Sequence, residues 1–147
     1  PPRMHSQTQT PGAVNAVDFT IPAWAKKITI SIQALKQTGN AHYQVQLNGI
    51  TSGYFSRSTQ ISDYSIAPTD GFNWPNNSAA NVMTGHMYIL REDLNYTSDL
   101  RSTLESGGYF QLGQGRLALT AAPSTLRFKC GSTGVFASGS ITVICEG

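Results

Sequence analysis

Lys27-Ile28-Thr29-Ile30-Ser31-Ile32-Gln33-Ala34-Leu35 is the stretch on which the fold turns. Ile28, Ile30, Ile32 and Ala34 fall on one side of an extended chain; Thr29, Ser31 and Gln33 fall on the other. Successive side chains of a strand point to opposite faces, so this reads as a strand with one buried and one wetted face. The period of two recurs in both directions from it. Val17 and Phe19 alternate with polar neighbours ahead of Pro22, and Thr38-Gly39-Asn40 marks a turn. Tyr43, Val45 and Leu47 alternate with His42, Gln44, Gln46 and Asn48, and Asn48-Gly49 is a hairpin signal. Val82–Leu90 reads as a strand with Met87 and Ile89 on one face, and Tyr109–Leu112 and Arg116–Thr120 as two short strands. Leu126, Phe128 and Cys130 share a face opposite Arg127 and Lys129; Ile141, Val143 and Cys145 share one opposite Thr142 and Ile144.

Between these segments the pattern loosens. Ile50 to Ile66 is rich in Ser, Thr and aromatics, with room for one or two short strands. Ala67–Ala80 holds Pro68, Asp70-Gly71, Pro75 and Asn76-Asn77, a dense cluster of turn formers. In Asp93–Ser106, Tyr96, Leu100 and Leu104 share a face at period two with Ser98 and Ser102 between them, which favours a strand. The alternative is a short helix capped by Ser98 and ended by Gly107. Residues 1–13 carry almost no apolar content and read as a flexible tail or the end of a linker. Many short alternating strands separated by turn residues predict an all-β fold, an antiparallel β-sandwich over residues 14–147.

Composition agrees. The 147 residues suit one domain. Charged residues make up 12%, about half the roughly 25% of an average globular domain, and surface helices normally need more. Hydrophobic content of 39% argues against disorder. The net charge is +2 and the longest basic cluster is Lys26–Lys27, so no patch suited to a phosphate backbone is visible and no nucleic-acid partner is expected. No apolar run approaches the roughly 20 residues of a membrane span. The N-terminus, Pro-Pro-Arg-Met-His, is unlike a signal peptide, and with no Met at position 1 the chain reads as a fragment or processed product.

Catalytic and ligating patterns are sparse. Gly113-Gln114-Gly115-Arg116-Leu117-Ala118 fits GxGxxA, but a dinucleotide fingerprint needs a helix after it; Leu117 and Leu119 alternate and Pro123 follows. A hairpin turn is the favoured reading there. His5, His42 and His86 are scattered, without the neighbouring partners of a metal site. Asp63, Asp70, Glu92 and Asp93 carry no sign of a glycosidase pair. No cofactor and no enzymatic activity are expected. Cys130 and Cys145 are expected to be unpaired: in a hairpin turning near Ser132–Gly134 they lie too far apart to bridge.

Aromatic and amide-rich material in the middle of the chain stands out. Tyr54, Phe55, Arg57, Phe72, Trp74, Asn76 and Asn77 combine rings, amides and a guanidinium, groups that make good recognition surfaces. Loops on a rigid scaffold are where binding groups concentrate. The alternative is that Phe72 and Trp74 are core residues flanking a turn.

Both ends of the chain resemble a known family. Val17-Asp18-Phe19-Thr20-Ile21-Pro22-Ala23-Trp24-Ala25-Lys26-Lys27-Ile28-Thr29-Ile30 resembles the opening of the distal domain of many tailed-phage fibre proteins, an aromatic followed by I-P-x-W, a basic residue and I-T-V. Leu126-Arg127-Phe128-Lys129 resembles that family's L-x-R-I-R-I. Phe136, Gly139, Ser140, Ile141 and Val143-Ile144-Cys145-Glu146 resemble its closing F-D-x-G-S-I-x-I-x-x-E. Ala137 stands where the family often has Asp, and the loop from Phe72 to Asn81 matches no family pattern. The resemblance implies a homotrimeric β-sandwich at the tip of a tail fibre, joined to the rest of the fibre. It implies assembly in the host cytoplasm and adsorption to a glycan or outer-membrane protein on the bacterial surface. Alternatives are a trimerisation or decoration domain of a virion without receptor contact, a glycan-degrading enzyme, and a non-viral lectin-like module.

Overall fold

A computed structural model describes residues 1–60, 64–105 and 108–147. Among the described residues there is no helix. Twelve strands among the described residues form two antiparallel sheets, as the alternation predicts. In chain order they are β1 (Met4–Gln9), β2 (Ala16–Thr20), β3 (Lys27–Gln37), β4 (Tyr43–Leu47), β5 (Phe55–Gln60) and β6 (Tyr64–Ile66). There follow β7 (Phe72–Trp74), β8 (Met83–Glu92), β9 (Asn95–Leu104), β10 (Tyr109–Ala118), β11 (Thr125–Cys130) and β12 (Phe136–Glu146). The large sheet has the order β1-β12-β3-β8-β9-β10-β5-β6 and the small sheet β2-β11-β4-β7. One core lies between them, with Ile28, Ile30 and Ile32 from β3 and Ile141 and Val143 from β12 against Phe19, Val45 and Phe128.

Several expectations change in three dimensions. Residues 1–13 are not a tail throughout: Met4–Gln9 is a strand, paired from Met4↔Glu146 to Gln9↔Ile141. Its polarity has a use. The Gln7 amide donates to Thr20 O (2.8 Å) and accepts from Thr20 N (3.1 Å), and Gln9 donates to Asp18 O (2.8 Å). These glutamines satisfy the backbone of β2, an edge strand of the other sheet, whose polar groups would otherwise lack partners.

Ala34 leaves the face of Ile28, Ile30 and Ile32. It is exposed with φ 48°, and the register to β8 shifts between Ile32 and Leu35. This is a β-bulge; it reverses the alternation so that Leu35 and Gln37 turn inward. Gly139 on β12 answers it: its φ is +94° and an added Cβ would stand 2.4 Å from Ala34 O.

Asn48 and Gly49 form the expected tight turn, with φ 54° and 68° and Ile50 N donating to Leu47 O (3.0 Å). The turn does not make a hairpin. β4 belongs to the small sheet, and the chain crosses to β5 in the large one. Tyr54 anchors the crossing, its hydroxyl accepting from Leu47 N and donating to Ile50 O, both at 2.9 Å.

Asn95–Leu104 is the favoured strand, not a helix, with Tyr96, Leu100 and Leu104 buried; Ser106 and Gly107 lie outside the described residues. The two short strands expected at 109–112 and 116–120 are one, β10, and it carries the GxGxxA string along its length, not in a turn. β11 and β12 lie in different sheets and form no hairpin; Cys130 and Cys145 are both free and buried.

Candidate functional site

Of the seven residues expected on a recognition surface, four are buried. The Trp74 ring is fully buried, 5.8 Å from that of Phe128, and its Nε1 donates to Ser102 Oγ (3.0 Å). Phe72 is equally buried and meets Tyr54 edge to face at 5.1 Å. Asn76 donates through Nδ2 to Ala41 O (3.0 Å) and through its backbone N to His42 Nδ1 (2.9 Å). The expected turn region 67–80 therefore contains a buried strand, β7, paired with β4 from Tyr43↔Trp74 to Val45↔Phe72. The physical reason is size. Large rings gain most by leaving water, and only three residues between turns suffice to carry two of them inward.

Phe55, Arg57 and Asn77 remain exposed. Asn77 accepts from Asn81 Nδ2 (3.0 Å) at the loop after β7, apart from the other two. Phe55 and Arg57 project from the outer face of β5, with Phe55 68% exposed. They belong to a surface whose other members are the wetted residues of β8, β9 and β10. The pairing register places three cross-strand rows there. Leu90, Thr97, Arg116 and Phe55 form one; Tyr88, Asp99, Gln114 and Arg57 the next; His86, Arg101, Leu112 and Thr59 the third. Residues directly opposite across a ladder touch, so each row is a line of neighbouring side chains.

The outer face is ordered by ring contacts. The Arg116 guanidinium lies 5.0 Å from the Phe55 ring centroid, and Lys27 on β3 lies 5.1 Å from that of Tyr88. His86 stands 4.7 Å from Tyr88. Lys27 also pairs with Glu146 at 3.6 Å. Two shallow hollows open between the rows. One is lined by Lys27, Tyr88, Leu90, Thr97, Asp99 and Gln114. The other is lined by Arg57, Thr59, Asp99, Arg101, Leu112 and Gln114. Asp99 and Gln114 are common to both. A third hollow at the sheet edge brings Phe55, Arg57 and Arg116 against Pro68 and Thr69.

The opposite side of these strands explains their position. Ser56 and Ser58 of β5, Ser98 and Ser102 of β9 and Gln111 of β10 face inward and are buried. Asn73 of β7 donates to Ser58 Oγ (2.5 Å) through its side chain and to Ser56 Oγ (3.1 Å) through its backbone. Ser102 donates to Gln111 Oε1 (2.5 Å), and Gln111 Nε2 donates to Pro75 O (2.7 Å). Small inner side chains let β7 approach the large sheet. An added Cβ at Gly115 would stand 2.7 Å from both the Phe72 ring and Ser98 Oγ.

The outer face offers guanidinium groups, a carboxylate, an amide and a phenol ring. Among the described residues no three His, Cys, Asp or Glu side chains group as metal ligands. Burial pushes the Cys130 thiol up to about 12 and the Cys145 thiol up to about 11, so both are protonated and poor nucleophiles near neutral pH. Of the carboxylates considered from the sequence, Asp70 accepts from Gln44 Nε2 (2.5 Å), Glu92 and Asp93 lie at the β8–β9 turn, and Asp63 lies outside the described residues. Sequence reasoning passed over Tyr88, Asp99, Arg101, Gln114 and Arg116. The available signal was their shared parity on the polar sides of three strands that prove to be adjacent.

No protein-family model and no curated protein matches the chain. Among solved structures, the STIV MCP is similar at 13% identity and a TM-score of 0.29, over 98% of this chain and 48% of that one. This chain thus spans about half the length of that protein. Peanut lectin, solved with a 9-residue peptide, is similar at 9% identity and a TM-score of 0.28, over 98% of this chain and 92% of the lectin. The complex of the two major capsid proteins of bacteriophage P23-77 is similar at 8% identity and a TM-score of 0.15, over 99% of this chain and 88% of that one. Likeness at this level assigns no function.

Proposed function

We propose that this chain is the receptor-binding tip domain of a phage tail fibre, a non-enzymatic virion component that adsorbs to the bacterial surface. The binding surface in this reading is the outer face of β5, β8, β9 and β10, not the middle loops. One observation carries the choice of surface. Tyr54, Phe72 and Trp74 of the middle segment pack in the core, while Phe55 and Arg57 join Tyr88, Asp99, Gln114 and Arg116 on one exposed face. The family reading rests on the matching chain ends, and it includes a homotrimer.

The experiment is binding of fluorescently labelled protein to a panel of bacterial strains, with light scattering for the oligomer. Wild type is expected to bind at least one strain and to have three times the chain mass. Tyr88→Ala and Arg57→Gln are expected to weaken binding at least tenfold with unchanged melting temperature, and Asn77→Ala to leave it unchanged. A wild type that binds no strain, or outer-face variants that bind as wild type does, would overturn the reading. A second reading, a structural domain without receptor contact, is favoured by Phe110 and Leu112, adjacent outward positions of β10 that are 59% and 45% exposed. It requires that Phe110→Ser dissociate the oligomer and that no cell binding be seen.

A further inference from the structure

The three rows of the outer face hold three arginines, Arg57, Arg101 and Arg116, and one carboxylate, Asp99. The chain has ten basic and eight acidic residues. Three less one is therefore the whole formal excess of +2, and the remaining seven basic residues are balanced by seven acidic ones. On these rows the excess of arginine over carboxylate sets up a local positive field.

The arrangement around Asp99 narrows what that field suits. Arg101 follows Asp99 by two residues on the same side of β9, and Arg57 lies in the row of Asp99 two strands away, about 10 Å by strand spacing. Both guanidiniums, Asp99 and Gln114 line one hollow. A guanidinium takes a carboxylate through two parallel hydrogen bonds, so this hollow suits an isolated anionic group. Three arginines beside one carboxylate are few for a phosphate backbone, which needs many. The adjoining hollow shares Asp99 and Gln114 but is walled by Tyr88 and Leu90, with Lys27 Nζ 5.1 Å from the Tyr88 ring centroid. It offers an apolar ring face together with an acceptor carboxylate and a donor–acceptor amide, the set that matches a sugar ring and its hydroxyls.

We infer that the outer face takes an acidic glycan. A sugar ring lies against Tyr88 and Leu90, its hydroxyls meet Asp99 and Gln114, and the carboxylate of that or the next sugar meets Arg57 and Arg101. This rests on the reading of the outer face as the binding surface. An acidic peptide segment shares the charge but has no use for the ring wall beside Asp99.

The test is a titration of isotopically labelled protein followed by NMR, with short oligomers of galacturonate, hyaluronan and sialic acid as probes. Carboxyl-reduced oligogalacturonate and oligoglutamate are the controls. Saturating shifts on β8, β9 and β10 are expected with at least one acidic oligosaccharide. Carboxyl reduction and Arg101→Gln are each expected to weaken that binding at least tenfold, and oligoglutamate to give no saturating shift. The inference is overturned if all three acidic oligosaccharides fail. Equal binding of the reduced oligomer, oligoglutamate binding as tightly, or shifts confined elsewhere overturn it too. The same Arg101→Gln and Tyr88→Ala proteins are then tested on the bacterial panel. Loss of cell binding with no acidic glycan bound leaves the face as the receptor site and removes the glycan; unchanged cell binding removes the face.

Discussion

The two halves of this sandwich are packed by different rules. Beneath Ile28–Ile32 of β3 and Ile141–Val143 of β12 the interior is apolar: Ile28, Ile30, Ile32, Ile141 and Val143 share one core with Phe19, Val45 and Phe128. Beneath β9, β10 and β5 the large sheet turns inward Ser56, Ser58, Ser98, Ser102 and Gln111, and β7 answers with Asn73 and Trp74. The first half closes by filling space with branched carbon. The second closes by using small residues and glycine, so that a three-residue strand comes near enough for its polar groups to be shared. Buried polar groups that satisfy one another hold a geometry more narrowly than apolar contacts do, and they fail together when one partner is removed. The outer face of this polar half carries Arg57, Asp99, Arg101, Gln114 and Arg116 of the candidate site.

Trp74 joins the two halves and gives the largest expected effect. Trp74→Ala removes a fully buried ring that touches Phe128 on one side and donates to Ser102 on the other. A loss of roughly 3–5 kcal/mol in urea unfolding is expected. A loss below about 1 kcal/mol, in the range of ordinary surface changes, would mean that the ring does not join the halves.

Next comes a pair that tests the difference in rules directly. Gln111→Leu keeps most of the volume but strands Ser102 Oγ and Pro75 O, for an expected loss of about 1–3 kcal/mol. Val143→Thr places a hydroxyl in the dry half, with an expected loss of about 1–3 kcal/mol. If both are neutral in chemical denaturation, the two interiors are interchangeable and the comparison fails.

A smaller effect belongs to His42, half-buried beside the small sheet. Its Nδ1 accepts the Asn76 N–H, and burial lowers its pKa below the ordinary histidine value of 6.5. The folded state thus favours the neutral ring. Its contribution is complete above pH 6.5 and is lost as pH falls through the lowered folded value. The melting temperature is expected to drop between pH 7.5 and pH 5 more in wild type than in His42→Gln; equal drops would exclude His42 as the cause.

The smallest effect is at the surface of the apolar half. Arg127 holds Asp18 through Nε (2.8 Å) and Nη2 (3.0 Å), and this hydrogen bonding keeps the carboxyl below its ordinary range. Both side chains are about half exposed, so Arg127→Gln is expected to cost under about 1 kcal/mol. That contribution is present above the ordinary aspartate range and is lost as pH falls through the lowered folded value. A loss that persists undiminished in 1 M salt would show that the pair is not screened as an exposed one must be.

Alternation by itself determined the all-β class and most of the inward face. Each of Ile28, Ile30, Ile32, Phe128, Ile141 and Val143 is buried as its parity requires, because a strand has only two sides and one of them must leave water. Local turn chemistry was legible in the same way at Asn48-Gly49. Pairing was not. Which strand lies beside which, and in which sheet, depends on contacts between residues far apart in sequence. The polar strand β1 and the bulge at Ala34 carry no apolar period to announce them, and β7 is too short for its own to stand out. The candidate site belongs to this second class. Arg57, Asp99, Arg101 and Gln114 come from three strands, with 57 positions of sequence between the first and the last of these residues, and each read alone is a wetted residue facing solvent. Only the antiparallel register of β5, β10 and β9 sets them in one row and its neighbour. The same register places Ser58 and Ser102 against β7 on the opposite side of the sheet, a long-range packing that no stretch of the outer face encodes.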